Sequence, residues 1–238
     1  MLNCNMGKRI ISQARGKGSL SYQARKQAFI YRVGYPLGNG SAQILKILHS
    51  AAHSAPLIKA RLGKIIFFNV AFNGAMRDAN FEIGGEQVAD GNVISLKNIP
   101  IATKIFNIEN NPGDGGKMIR ASGGNAIVHK KYEDGRVGII MPNRHEIRVD
   151  GECRATIGVI AGDGRTQKPK MKAGVNHYKA KARNKLWPRV SAVSTNAVDH
   201  PFGSGRGKRI KSKTVKRNAP PGRKVGHLRP RRTGRKKR

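Results

Sequence analysis

The sequence predicts a mainly β fold, a small β-rich body between two extended, strongly basic arms. Two observations carry this reading. Short runs rich in Ile, Val and Phe recur through the middle of the chain at intervals of about 8–12 residues, with turn-forming residues between them, the pattern of small barrels and sandwiches. Charge is also sharply divided. Residues 1–32 hold seven Lys or Arg and no acid, residues 33–164 fifteen against twelve, and residues 165–238 twenty-five against one, Asp199.

Residues 1–35 mix Gly, Ser, Gln and basic side chains with Tyr22, Phe29 and Tyr31. Periodicity is weak, so this segment reads as an extended arm whose aromatics either stack on bases or anchor onto the body. Residues 36–99 form a first barrel. Its runs are Ala42–Leu48, Lys64–Phe72, Phe81–Gly85 and Glu86–Ser95, with Asn73-Gly74, Gly84-Gly85 and Asp90-Gly91-Asn92 as turns. Ile99-Pro100 marks a boundary. Residues 100–172 form a second barrel from Thr103–Ile108, Asn125–Tyr132, Arg136–Met141, Glu146–Val149 and Thr156–Ala161. Pro112–Gly116, Glu133–Gly135 and Pro142-Asn143 separate them.

Residues 173–238 are a basic extension with one short helical stretch at Lys179–Lys185. Trp187, Val190, Val193 and Val198 are its apolar anchors before position 200. So little apolar surface does not offset the entropy of ordering, and the extension is expected to order only on a partner.

A formal charge of +34 demands a polyanion. Lys and Arg neutralise phosphates and release counterions. The glycines of Gly203–Arg209 allow backbone to approach phosphate closely. RNA is favoured over DNA, because no helix-turn-helix, zinc finger or basic zipper can be drawn through the chain, and arms with small barrels suit irregular RNA surfaces. No apolar run reaches a membrane span, and Met1–Arg9 lack the apolar core of a secretory signal. Cys4 and Cys153 read as two reduced thiols rather than a disulfide framework or zinc site.

Three motifs need weighing. Pro112–Lys117 lacks the spacing of a nucleotide-binding loop and reads as a Gly-rich turn touching RNA backbone. His49 and His53 stand four apart, but Ala55-Pro56 limits any helix, so they read as a loop or strand-end pair rather than metal ligands. Asp199-His200 resembles half of an acid–base pair. No nucleophile completes it, so it reads as a turn, with Asp199 accepting backbone amides or an Arg and His200 touching RNA.

Asn196–Gly203 (NAVDHPFG), Cys153–Gly164 (CRATIGVIAGDG), Asn111–Gly124 (NPGDGGKMIRASGG) and Asn218–Gly226 (NAPPGRKVG) resemble the universal large-subunit ribosomal protein L-two family. Met6–Ser19 and Ala197 resemble its archaeal and eukaryotic branch, and Met1–Asn5 precede its usual start. The resemblance implies an OB-like barrel followed by an SH3-like barrel. It also implies binding to large-subunit rRNA, neighbouring ribosomal proteins and a bridge to the small subunit, in the cytoplasm and away from membranes. No enzyme activity and no cofactor of the protein's own are implied; structural Mg2+ would be held by the rRNA.

The rRNA contacts expected from the arms and matched motifs begin with Lys8, Arg9, Arg15 and Lys17, then Lys117, Arg120 and Arg154. They continue with Arg165, Lys168, Lys172, His177, Lys179, Arg183, Trp187, Asn196 and His200, and end with Arg206, Lys208, Arg209, Arg217, Arg223 and Lys224. Asp199, His200 and Pro201 would lie near the peptidyl transferase centre. The alternatives are an RNA-modifying enzyme built on Asp199-His200 and a basic protein that compacts nucleic acid generally.

Overall fold

A computed structural model of the chain describes residues 8–204, 213–220 and 223–228. Ten strands form its main sheet: β1 (Gly40–Leu48), β2 (Leu57–Leu62), β3 (Ile65–Val70), β4 (Asn80–Ile83), β5 (Val93–Ser95), β6 (Lys104–Phe106), β7 (Ala126–Lys131), β8 (Arg136–Ile140), β9 (Glu146–Asp150) and β10 (Arg154–Ile157). Their order is β3-β2-β1-β4-β5-β10-β6-β7-β8-β9. Every pairing is antiparallel except β4 with β5.

The sheet wraps two cores, the first OB-like and the second SH3-like. Ile44, Leu57, Ile58, Val70, Phe81 and Ile83 fill the first. Leu96, Ile99, Ile108, Val128, Val137 and Ile139 fill the second. Strands β5, β6 and β10 serve both, because successive side chains of a strand point to opposite faces. Val93 and Phe106 enter the first core, while their neighbours Ile94 and Ile105 enter the second. Ala155 and Ile157 also face the second core. Thr156 between them is buried, and its hydroxyl lies 2.7 Å from the Tyr35 hydroxyl. A one-residue slip in β5 would exchange the two faces, so register is tightly specified here.

Several elements differ from the sequence reading. β2 (LIKARL) was not anticipated, because Lys59 and Arg61 interrupt an otherwise apolar run that begins right after Pro56. The strand expected over Glu86–Ser95 shrinks to Val93–Ser95. Asn92 explains this: its side chain accepts the Glu82 amide at 2.8 Å and donates to the Gln87 carbonyl at 3.0 Å, tying down a loop. The strand expected over Thr156–Ala161 runs Arg154–Ile157 and ends at Gly158, whose φ of 107° is not a strand conformation.

The contacts divide the described chain into two units, residues 25–183 and residues 8–24 together with those from Asn184 onward. In the larger unit, α2 (Ala173–Ala182) replaces the short stretch expected at Lys179–Lys185. None of its residues is buried.

In the smaller unit the segment expected to be extended contains α1 (Ile11–Gly16) and a 3-10 turn at Leu20–Tyr22. The Lys8 amide donates to the Val198 carbonyl at 2.9 Å, and Arg15 Nη2 donates to the Asn184 carbonyl at 3.1 Å. Two short parallel strands, β11 (Thr214–Val215) and β12 (His227–Leu228), complete it. Phe202 and Val215 are its buried apolar side chains. No helix among the described residues is long and apolar enough to cross a membrane.

Candidate nucleic-acid interface

In the smaller unit, the residues around α1 and the 184–200 stretch border a cleft of about 1080 Å3. Lys8, Arg9, Arg15, Lys185 and Arg189 supply five cations to its lining, and Asp199 supplies one carboxylate. Asp199 Oδ1 lies 3.4 Å from Lys8 Nζ, with 39% and 75% of the two side chains exposed. At that exposure the pair contributes little stability, and the cleft keeps a surplus of positive charge. Sequence reasoning named Lys8, Arg9 and Arg15 but missed Lys185 and Arg189, which flank Trp187-Pro188 with no acid nearby.

The turn at 196–203 borders this cleft. The Asn196 carbonyl accepts the amides of Asp199 and His200 at 3.0 and 3.2 Å, and the His200 carbonyl accepts the Gly203 amide at 2.9 Å. His200 Nδ1 accepts the Phe202 amide at 3.0 Å, and the two rings lie 4.9 Å apart. A ring nitrogen accepting an amide has its lone pair engaged, which assigns the proton of the neutral ring to Nε2. His200 thus offers one donor, Nε2–H, while Asp199 faces Lys8. The pair is not wired as a carboxylate orienting an imidazole. Gly203 is required: a Cβ there would meet the Asn196 carbonyl.

In the larger unit, three expected contacts have internal partners. Arg154 Nη2 lies 2.9 Å from Oε1 of Glu109, which is fully buried. Arg154 Nη1 donates to the Pro36 carbonyl at 2.8 Å, and the guanidinium sits 5.3 Å from the Tyr35 ring centre. Arg120 donates to Asn107 Oδ1 at 2.7 Å and to the Val33 carbonyl at 3.2 Å, and burial lowers its pKa. Lys117 lies 3.6 Å from Asp114 and remains exposed.

The Gly-rich turn before Lys117 does not offer its amides outward. Gly113 and Gly115 donate to Glu109 at 3.3 and 3.0 Å, and Gly116 donates to Asp114 at 3.2 Å. Those three amides are held by Glu109 and Asp114, while Lys117 remains the exposed cation of the turn.

Arg165 donates to Ser122 Oγ at 2.6 Å. Lys168 and Lys172 are exposed on the approach to α2. His177 and Lys179 stand on α2, with His177 edge-on to Tyr178 at 5.4 Å, and Arg183 ends the helix. In the smaller unit Lys17 follows α1, Trp187 is 36% exposed, Pro201 continues the 196–203 turn, and Arg217, Arg223 and Lys224 are exposed. Arg206, Lys208 and Arg209 lie outside the described residues, as does Cys4.

His53 Nδ1 is 2.8 Å from Ser50 Oγ in the loop after β1. No group of three metal-ligating side chains occurs among the described residues.

The sequence model of the family described as Ribosomal Proteins L2, C-terminal domain, matches residues 89–223. The large ribosomal subunit protein uL2 of Archaeoglobus fulgidus is 43% identical over 96% of this chain and 99% of its own length. Its counterparts from Korarchaeum cryptofilum and Methanoculleus marisnigri are each 42% identical, covering 98% and 96% of this chain. Likeness of that extent, over nearly the full length of both chains and with the family model matching more than half of this one, means that the chain belongs to the ribosomal protein uL2 family.

Proposed function

We infer that this chain is a structural constituent of the large ribosomal subunit, held by large-subunit rRNA and neighbouring ribosomal proteins in the cytoplasmic ribosome. Its relatives carry that subunit in their names. Of its own geometry, the supporting observation is the cleft that sets five cations against one carboxylate. Such a surface is complementary to a phosphate backbone and to little else. In this reading the chain also supports subunit association through a bridge to the small subunit. It shapes the surroundings of the peptidyl transferase centre with Asp199, His200 and Pro201 nearest. His200 Nε2–H acts there as an RNA contact. Magnesium ions around it are ligands of RNA phosphates, and the chain carries no cofactor.

The enzyme alternative requires Asp199 to orient His200, and the carboxylate instead faces Lys8. Tagged chain should sediment with large subunits through high-salt gradients and protect discrete rRNA segments from hydroxyl radicals. A chain that stays in the soluble fraction, or that protects plasmid DNA as strongly as rRNA, would overturn this function.

A further inference from the structure

Seven Asn-Gly or Asp-Gly pairs occur in the chain, and they differ in what holds the glycine nitrogen. That nitrogen can attack the carbonyl carbon of the side chain before it, closing a succinimide ring. The attack needs an amide free to swing inward and give up its proton, so a hydrogen bond donated by that amide opposes it. Gly91 donates to the Ile157 carbonyl at 3.0 Å, Gly135 to that of Tyr132 at 3.2 Å and Gly151 to that of Gly135 at 3.1 Å. Gly115 donates to Glu109 Oε1 at 3.0 Å, and Gly164 to Asp163 Oδ1 at 2.7 Å. These five also follow Asp, whose ionised carboxylate is a poor electrophile. Gly40 lies in the ladder of β1 with β4, opposite Ile83, and the side chain of Asn39 before it packs against Gly84.

Asn73-Gly74 stands apart. The pair forms the centre of a turn after β3, closed by the Ala75 amide donating to the Phe72 carbonyl at 3.2 Å. Asn73 is exposed, and neither its side chain nor the Gly74 amide has a hydrogen-bond partner among the described residues. Nothing stands within 4 Å of a Cβ built on Gly74, whose φ is 84°, so no side chain shields its nitrogen. Asn69, four residues earlier, is the opposite case. It is buried, and its Oδ1 accepts the Val70 amide and Asn107 Nδ2, each at 2.8 Å.

We propose that Asn73 is a site of spontaneous hydrolytic modification, with water as the only co-reactant. The Gly74 nitrogen bonds to Asn73 Cγ as its proton leaves. The C–N bond of the side-chain amide then breaks, and the departing nitrogen takes up a proton to leave as ammonia. Water opens the resulting imide at either carbonyl. One opening gives aspartate; the other gives isoaspartate, with the main chain rerouted through the former side chain. Both products add a carboxylate to an exposed turn. Isoaspartate also lengthens the backbone beside the bond from the Asn73 amide to the Val159 carbonyl, now 2.8 Å. The site depends on no reading of what the chain binds.

The test incubates the full chain at pH 8 and 37 °C for several days, with tryptic peptides followed by mass spectrometry. Cleavage after Lys64 and Arg77 places Asn69 and Asn73 in one peptide, and fragmentation tells them apart. The change from amide to acid should appear at Asn73 and leave Asn69 untouched. Asn39 should convert about tenfold more slowly than Asn73, the order of factor that breaking one backbone hydrogen bond imposes. In guanidinium chloride the two Asn-Gly pairs should convert at the same rate, which ties the difference to the fold. Methyl transfer from S-adenosylmethionine by an isoaspartyl methyltransferase should label the aged chain, and Asn73→Gln should remove most of that label. Equal rates at Asn39 and Asn73 in the folded chain would overturn the proposal. So would an Asn73 amide that persists until denaturant is added, since the turn would then protect the residue.

Discussion

Arg154 and Glu109, 45 residues apart, form an ion pair whose acid is fully buried: Nη2 lies 2.9 Å from Oε1, and the Arg154 amide also donates to Oε2 at 2.8 Å. Glu109 further collects the amides of Gly113 and Gly115, so one carboxylate fixes β10 and the glycine turn together. Removing it strands a largely buried guanidinium and three amides. Glu109→Ala should therefore cost about 3–5 kcal/mol, the range for breaking a buried pair from one side. Urea unfolding of the two proteins measures it. A loss under about 1 kcal/mol would mean water replaces the carboxylate and the pair is incidental.

Gly116 and Gly113 should respond differently to alanine. Both have φ near 80°, which costs any L-residue about 1–2 kcal/mol. A Cβ at Gly116 would also meet the Asn107 carbonyl, whereas nothing stands within 4 Å of one at Gly113. Gly116→Ala should thus be clearly the more destabilising. Equal losses in thermal unfolding would show that the turn relaxes away from Asn107.

Cys153 is fully buried in the second core, and burial, followed by Glu109, pushes its thiol up to about 12. In a Cys4→Ser background the folded chain should resist iodoacetamide at pH 8 and react only on unfolding. The folded state holds the thiol proton more tightly than the unfolded chain. The stability this brings is complete below the ordinary thiol pKa of about 8.5 and is lost as pH rises toward 12. Rapid alkylation of native protein would show that the second core opens readily.

How much of this could be read from residues alone depended on distance along the chain. Strands β8 and β9 were legible because RVGII and EIRVD are short runs rich in Ile and Val between clear turns. β2 was not, since its outward Lys59 and Arg61 imitate a loop. The surplus of cations was evident from counting. Which of them have partners was not, because Arg154 meets Glu109 and Tyr35 meets Thr156 across 45 and 121 residues. The helix α1 escaped notice for the same reason: its tie to Asn184 spans 169 residues.

Affinity for large-subunit rRNA should fall steeply with salt. With several phosphate contacts the slope of log affinity against log salt should be about −4 or steeper. Deleting residues 206–238, which hold many of the basic side chains and no acid, should flatten it. Filter binding between 50 and 300 mM KCl would give the slope. An affinity indifferent to salt would assign the binding to stacking or apolar contact instead.

His200 should act as a positioned contact and not as a proton-transfer catalyst. Its Nδ1 is occupied by the Phe202 amide, and Asp199 turns to Lys8, so only Nε2–H faces outward. The two ring nitrogens can be replaced separately. Asparagine sets an oxygen where Nδ1 stands, keeping the Phe202 amide satisfied but losing the outward donor. Glutamine sets an amide near Nε2, keeping that donor. His200→Gln should therefore largely survive, His200→Asn should fold locally yet weaken the RNA contact, and His200→Ala should impair assembly or tRNA placement. A general base would behave otherwise, its loss slowing the chemical step by about 10²–10⁴. Single-turnover peptide-bond formation, on subunits verified to contain each variant in full stoichiometry, separates the two roles. If His200→Gln and His200→Ala both slow that step a hundredfold while assembly and tRNA occupancy stay intact, the contact role fails and the imidazole belongs to the chemistry.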